Sequence, residues 1–256
     1  MNIIPLHDHH AIESVSFGLE WTRPLAAEVM QALGGVHDGS LRQRLPARKP
    51  LRRIEWSLSP EGAHTLSTHD QTGWVFERFM PDGQPEISLL LAPEMIAVTN
   101  RAYTRWSAIA EEARALLAPF LPIIGASSDG FTTVGLQYVD VFMIDGPLAA
   151  FHPAMAFNSA TTLLPPSVFT RRNLWHAHHG YFTEITAPVC ARRLTVVHFS
   201  VCKYHRPAGP PDAAAGSQIG RSAATGSPPA CAPPAFSGMK PMCTHLTSSI
   251  VQFQSP

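Results

Sequence analysis

The sequence predicts an α+β fold, a mostly antiparallel sheet with two main helices packed on it, over residues 1–206. A low-complexity tail, expected to be disordered or read out of frame, follows over residues 207–256. Three observations carry this reading. Apolar residues alternate at period two in run after run, the mark of strands with one buried face. Only two stretches show clear helical spacing, too few for a repeating strand-helix-strand architecture. Composition then changes abruptly near Tyr204-His205-Arg206-Pro207.

In chain order, Val15, Phe17, Leu19 and Trp21 alternate with polar or small residues and predict the first strand. Pro24 stands where a first-turn proline would, and Leu25, Val29, Met30 and Leu33 recur at helical spacing until Gly34-Gly35. A helix of about ten residues is expected there. From Arg42 to Arg53, six basic side chains lie among Pro46 and Pro50 with no apolar period. This predicts a basic loop, either a solvated connection or a contact for an anion or acidic partner. Ile54, Trp56 and Leu58 alternate again, and Trp74 to Phe79 and Ile87 to Leu91 flank Met80-Pro81-Asp82-Gly83-Gln84. Proline and glycine there supply turn dihedrals, so a hairpin is expected.

Pro93-Glu94 opens a second reversal into Met95 to Thr99, and Asn100 is placed to cap a helix with Tyr103, Trp106, Ile109, Ala113 and Leu116 on one face. Pro119 and Pro122 are expected to stop it. At about 1.5 Å per residue such a helix would span roughly 27 Å and lie across several strands. Trp106 and Tyr138 are accordingly expected in the core, with Trp106→Ala costing roughly 3 to 5 kcal/mol. Phe131 to Ile144 is β-prone on both faces and reads as a strand in mid-sheet. Leu174 to Ile185 and Arg193 to Tyr204 predict two more strands.

Residues 207–256 hold 9 of the 24 prolines, 3 of the 38 charged residues and 2 of the 22 aromatics, so they can neither bury a core nor behave as a charged linker. Enrichment in Pro, Ala, Gly, Ser, Arg and Cys is what a GC-rich gene read out of frame yields, and a frameshift is the expected cause. Met239, Met242, Leu246, Ile250 and Phe253 leave room for a terminal amphipathic helix or a return to frame.

Lys plus Arg and Asp plus Glu both number 19, so no net field draws the chain to nucleic acid or an anionic membrane. Met1 to His10 has no basic and apolar leader, and nowhere do about 20 apolar residues run together. A cytoplasmic protein is expected. Its four cysteines, Cys190, Cys202, Cys231 and Cys243, form no CxxC pair and are expected to be reduced.

The entry into a Pro-Leu helix, Ile96-Ala97-Val98-Thr99, Tyr103-Thr104-Arg105-Trp106, Gly135-Leu136-Gln137-Tyr138-Val139-Asp140 and Leu174-Trp175-His176 together resemble a sporadically distributed family of uncharacterised bacterial proteins. The resemblance covers about residues 10 to 205 and fades after Lys203. It brings no activity with it, and Gln137 departs from the arginine more usual at that position in the family.

Thirteen histidines include two clusters, His7, His9, His10 and His176, His178, His179. On a strand His176 and His178 share a face, as HxH pairs that ligate zinc, iron or manganese do. Glu184, Asp140 and Asp8 are candidate carboxylates for such a site; His179 faces the other way. Ordinary hydrogen bonding or exposure to water is the competing reading of the pair, and the first cluster reads as a frayed end. No GxSxG, GxGxxG or GxxxxGK[ST] pattern occurs, and Cys190 and Cys202 read as packing residues.

The function expected from these residues is therefore that of a non-enzymatic cytoplasmic protein that binds another macromolecule. A protein partner fits, without nucleic acid or membrane, no resident cofactor is expected, and the sequence leaves the oligomeric state open. The alternative is a metal-dependent enzyme using His176 and His178 with a divalent metal.

Overall fold

A computed structural model describes residues 2–58, 64–145, 150–162, 164–170, 175–186, 191–201, 239–244 and 248–252. At 52–58, 64–71, 145, 175, 176, 178, 200, 201 and the two C-terminal stretches, the backbone alone is described. The fold is α+β. Its strands are β1 (Asn2–Pro5), β2 (Ile12–Glu20), β3 (Ala47–Leu58), β4 (His64–Phe79), β5 (Pro85–Ala92), β6 (Met95–Asn100), β7 (Thr133–Asp145), β8 (Trp175–Ile185), β9 (Ala191–Val201), β10 (Met239–Thr244) and β11 (Ser248–Gln252). The helices are α1 (Ala27–Val36), α2 (Trp106–Leu117) and α3 (Leu121–Ser127). None of them is long and apolar enough to cross a membrane.

The strands form one antiparallel sheet in the order β3-β4-β5-β6-β2-β7-β11-β9-β8, with β1 and β10 extending the pairing along β7. The β4-β5 hairpin turns where Pro and Gly require it: Gly83 has φ +82, and Met80 N–H donates to the Gln84 carbonyl at 2.8 Å. β7 lies in mid-sheet, with β1 and β2 along one edge and β10 and β11 along the other. Alternation fixes the register: Ile87, Leu89, Leu91, Ile96 and Val98 are buried, and the residues between them are not. These side chains meet Met30 and Leu33 of α1, Ala113 and Leu116 of α2, Phe120, and Ile124 of α3 in the main core.

Several expectations give way to the structure for identifiable reasons. Gly34 and Gly35 do not end α1, and helical backbone continues as a π-helical turn over His37–Leu41. Gly34 is instead a packing residue, because a Cβ there would sit 2.5 Å from the Trp74 indole nitrogen. Pro24 precedes the helix rather than opening it. Asn100 accepts from the Ala102 N–H at 2.8 Å in a local turn, so α2 begins only at Trp106 and Tyr103 precedes it. Pro122 lies in the first turn of α3.

The stretch read as a basic loop is largely β3, the first strand of the sheet. Its charges suit an edge that must not pair further. The Arg48 guanidinium stacks 3.7 Å over the Trp74 ring, and the Lys49 ammonium lies 5.0 Å from the Phe79 ring. Long stems over aromatic rings bury strand surface without an apolar period.

Within residues 207–256 the described segments are β10 and β11, which are strands and not a terminal helix. β11 lies between β7 and β9. The expectations for the rest of that region, and for Cys190, Cys202 and Cys231, lie outside the described residues.

Candidate functional site, an aromatic patch at the start of the second helix

Two features of the backbone open a surface beside α2. The helix starts late, so its first residue, Trp106, overhangs β2 and β7 instead of entering the core. Trp106 is 44% exposed, which corrects its expected place in the core. Its ring lies 5.5 Å from Phe17 of β2 and 6.0 Å from Tyr138 of β7. The strand register explains this meeting, because Val15 pairs with Tyr138 and Phe17 with Leu136, placing all four on one face. Val134, two residues beyond Leu136 on that face, is 36% exposed. Tyr138 is partly buried, so it lines the margin of the core rather than its centre.

A polar rim adjoins these rings. The β2-β7 register slips between Ile12 and Ser14, and the segment before this bulge meets the one that leads into α2. His10 donates through Nε2 to the Tyr103 carbonyl at 3.2 Å, and its ring meets Tyr103 edge-on at 5.3 Å. The His7 ring lies tilted at 53° to that of His10, 4.7 Å between centroids, and the His7 backbone N–H donates to the His10 carbonyl at 3.1 Å. β1 and the Leu6 N–H, which donates to the Val141 carbonyl at 3.0 Å, tie this segment to β7. The first histidine cluster is therefore anchored structure and not a frayed end.

Electrostatics follow from this packing. Burial pushes the Asp140 carboxyl above the usual carboxylate range, and the charge of His10 pulls partly against it. Burial, then the charge of His10, lowers His7. Burial, then Tyr103 and Asp140, raises the Tyr138 phenol. In the segment leading into α2, Arg101 and Arg105 are exposed and form no ion pair among the described residues.

The basic stretch offers a contrast. Arg44 donates to Glu112 at 3.0 Å, Arg48 to Asp38 at 3.3 Å, and Lys49 pairs with Glu77 at 2.5 Å. Those three charges are matched within the chain, whereas Arg42 is exposed and the side chains of Arg52 and Arg53 lie outside the described residues. A cleft of about 550 Å³ beside α1 is lined by Leu25, Met30, Gln31, Arg48, Trp74 and Pro93, and its Arg48 is among the paired groups.

The predicted metal pair, His176 and His178, lies on β8, with their side chains outside the described residues. The three carboxylates considered for it are elsewhere. Asp140 is on β7 near His10, Asp8 is in the N-terminal turn, and Glu184 accepts from Arg192 at 2.9 Å six residues along the strand. Among the described residues, no three His, Cys, Asp or Glu side chains group as metal ligands.

The aromatic patch was visible in the sequence only as apolar helix positions. The signal for its exposure was Asn100, whose side chain favours a turn as readily as a cap. Compared with models of known families and with curated proteins, the chain matches none.

Proposed function

We propose that the protein acts in the cytoplasm by binding another protein, and that the patch around Trp106 is the surface it uses. The observation that carries this is a half-exposed tryptophan held between two other rings, with exposed Arg101 and Arg105 in the segment that leads into it. Tryptophan, tyrosine and arginine dominate binding energy at protein interfaces, the rings because they bury large area at little entropic cost and arginine because its planar fork makes directed contacts. These guanidinium groups, which form no ion pair among the described residues, suit a partner segment with acidic side chains around an apolar anchor. The even charge balance of the chain agrees with a protein partner over nucleic acid.

Site-specific photo-crosslinking in the native host tests this reading. A photoreactive residue at position 106 or 138 should give an adduct with one and the same protein, and position 31 on α1 should not. Adducts with nucleic acid, or no adduct specific to positions 106 and 138, would overturn it.

A further inference from the structure

The pairing of β8 with β9 sets His178 directly opposite His198, and His176 two residues along the same face of β8. We propose that His176, His178 and His198 form a three-histidine site for a divalent transition metal, with zinc the best match. This site is separate from the Trp106 surface, and neither proposal depends on the other.

The strand register brings the three positions together. Residues two apart on a strand share a face, and directly opposed residues have Cβ atoms about 5 Å apart, with diagonal neighbours still within reach of long side chains. Three imidazoles at such positions can converge on one ion. Neutral imidazole suits zinc, copper, iron and nickel, and three histidines leaving a fourth position open is an established zinc ligand set. Each imidazole ligates through one nitrogen, so the other remains for a hydrogen bond that orients the ring.

The surroundings agree with this placement. Ala177, Val197 and Phe199 alternate with the histidine positions and are buried against Leu164 and Val168. The histidine positions therefore belong to the opposite face, away from that core. Gly180 comes next after His178 on this face, opposite Val196, and projects no side chain. A Cβ there would lie 3.3 Å from the Thr195 carbonyl oxygen, 3.5 Å from Leu194 and 3.6 Å from Val196, so glycine fits a crowded position bordered by apolar side chains. Phe182, 61% exposed, continues that apolar surround. Glu184 is six residues from His178, about 20 Å along a strand, so the fourth position falls to solvent or a small ligand rather than to that carboxylate.

Zinc binding to the full chain, purified without an affinity tag, tests the assignment. Wild-type protein should bind one zinc ion per chain in a competition titration with a chromogenic chelator, and cobalt in its place should show the visible absorption of tetrahedral coordination. His176→Ala, His178→Ala and His198→Ala should each weaken zinc by at least about 100-fold, beyond the 10–100-fold typical of an outer-sphere partner. His9→Ala, in the other cluster, should bind as wild type. The metal-free urea midpoint of each variant reports its folding, and His198→Gln replaces His198→Ala if the latter does not fold. Absence of stoichiometric zinc, or wild-type affinity in a folded His198 variant, would overturn the site.

Discussion

Arg78 grips the Glu86 carboxylate through two hydrogen bonds, from Nε at 2.8 Å and from Nη2 at 3.0 Å. The pair joins β4 to β5, and Arg78 also lies 3.7 Å from Glu112 on α2. Hydrogen bonding from Arg78, against burial, holds Glu86 below the usual carboxylate range. A lowered folded-state pKa stabilises the fold above the unfolded carboxylate pKa, and that contribution fades as pH falls through the folded value. Arg78→Met should therefore cost about 1 kcal/mol at pH 7, the upper end for partly exposed pairs, and much less at pH 3. Urea midpoints at the two pH values check this; equal losses at both would contradict it.

Phe76 should be among the most sensitive positions. It is fully buried, stacks 4.9 Å from His37 and approaches Phe120 at 6.3 Å, so it ties β4 to the π-helical turn and to the start of α3. Phe76→Ala should cost about 3 to 5 kcal/mol through lost transfer energy and the cavity left behind. A denaturation midpoint close to wild type would remove Phe76 from the centre of the core.

Asp140 makes a prediction of opposite sign to that of Glu86. Burial raises its folded-state pKa, so its charge penalises the fold at neutral pH, and the penalty lifts as pH falls through the folded value toward the unfolded one. Asp140→Asn should raise the melting temperature at pH 7, and the gain should shrink toward pH 4. A gain that grows on acidification would contradict the burial of this carboxyl.

Much of the sheet was legible because its signals are local. The alternation of Ile87, Leu89 and Leu91 and the turn at Gly83 need only neighbouring residues to be read. What escaped depends on partners distant in sequence. The glycine at 34 answers to Trp74 across the core, and the charged β3 answers to the rings of Trp74 and Phe79. Trp106 looked like a core residue because helical spacing tells which face it shares, not where the helix begins. The pairing of His178 with His198 was equally hidden, since register is set by two strands together.

Truncation after Arg206 separates the main core from the C-terminal region. The buried residues of that core all lie between Trp21 and Ile124, so a 1–206 fragment should remain soluble and cooperatively folded. Among the described strands, β11 is what joins the β8-β9 hairpin to β7. Hydrogen exchange should therefore keep its protection in β4 to β6 and lose it in β8 and β9. Loss of protection in β4 to β6 would show that the C-terminal region is needed by the whole fold.

Affinity for the crosslinked partner, measured together with stability in Trp106→Ala, tests the central claim most directly. A half-exposed tryptophan contributes less to folding than a buried one, so the variant should lose only about 1 to 2 kcal/mol of stability. As the anchor of an interface it should carry at least about 2 kcal/mol of binding, a rise in Kd of roughly 30-fold or more. A folded variant that binds the partner with wild-type affinity would contradict the account.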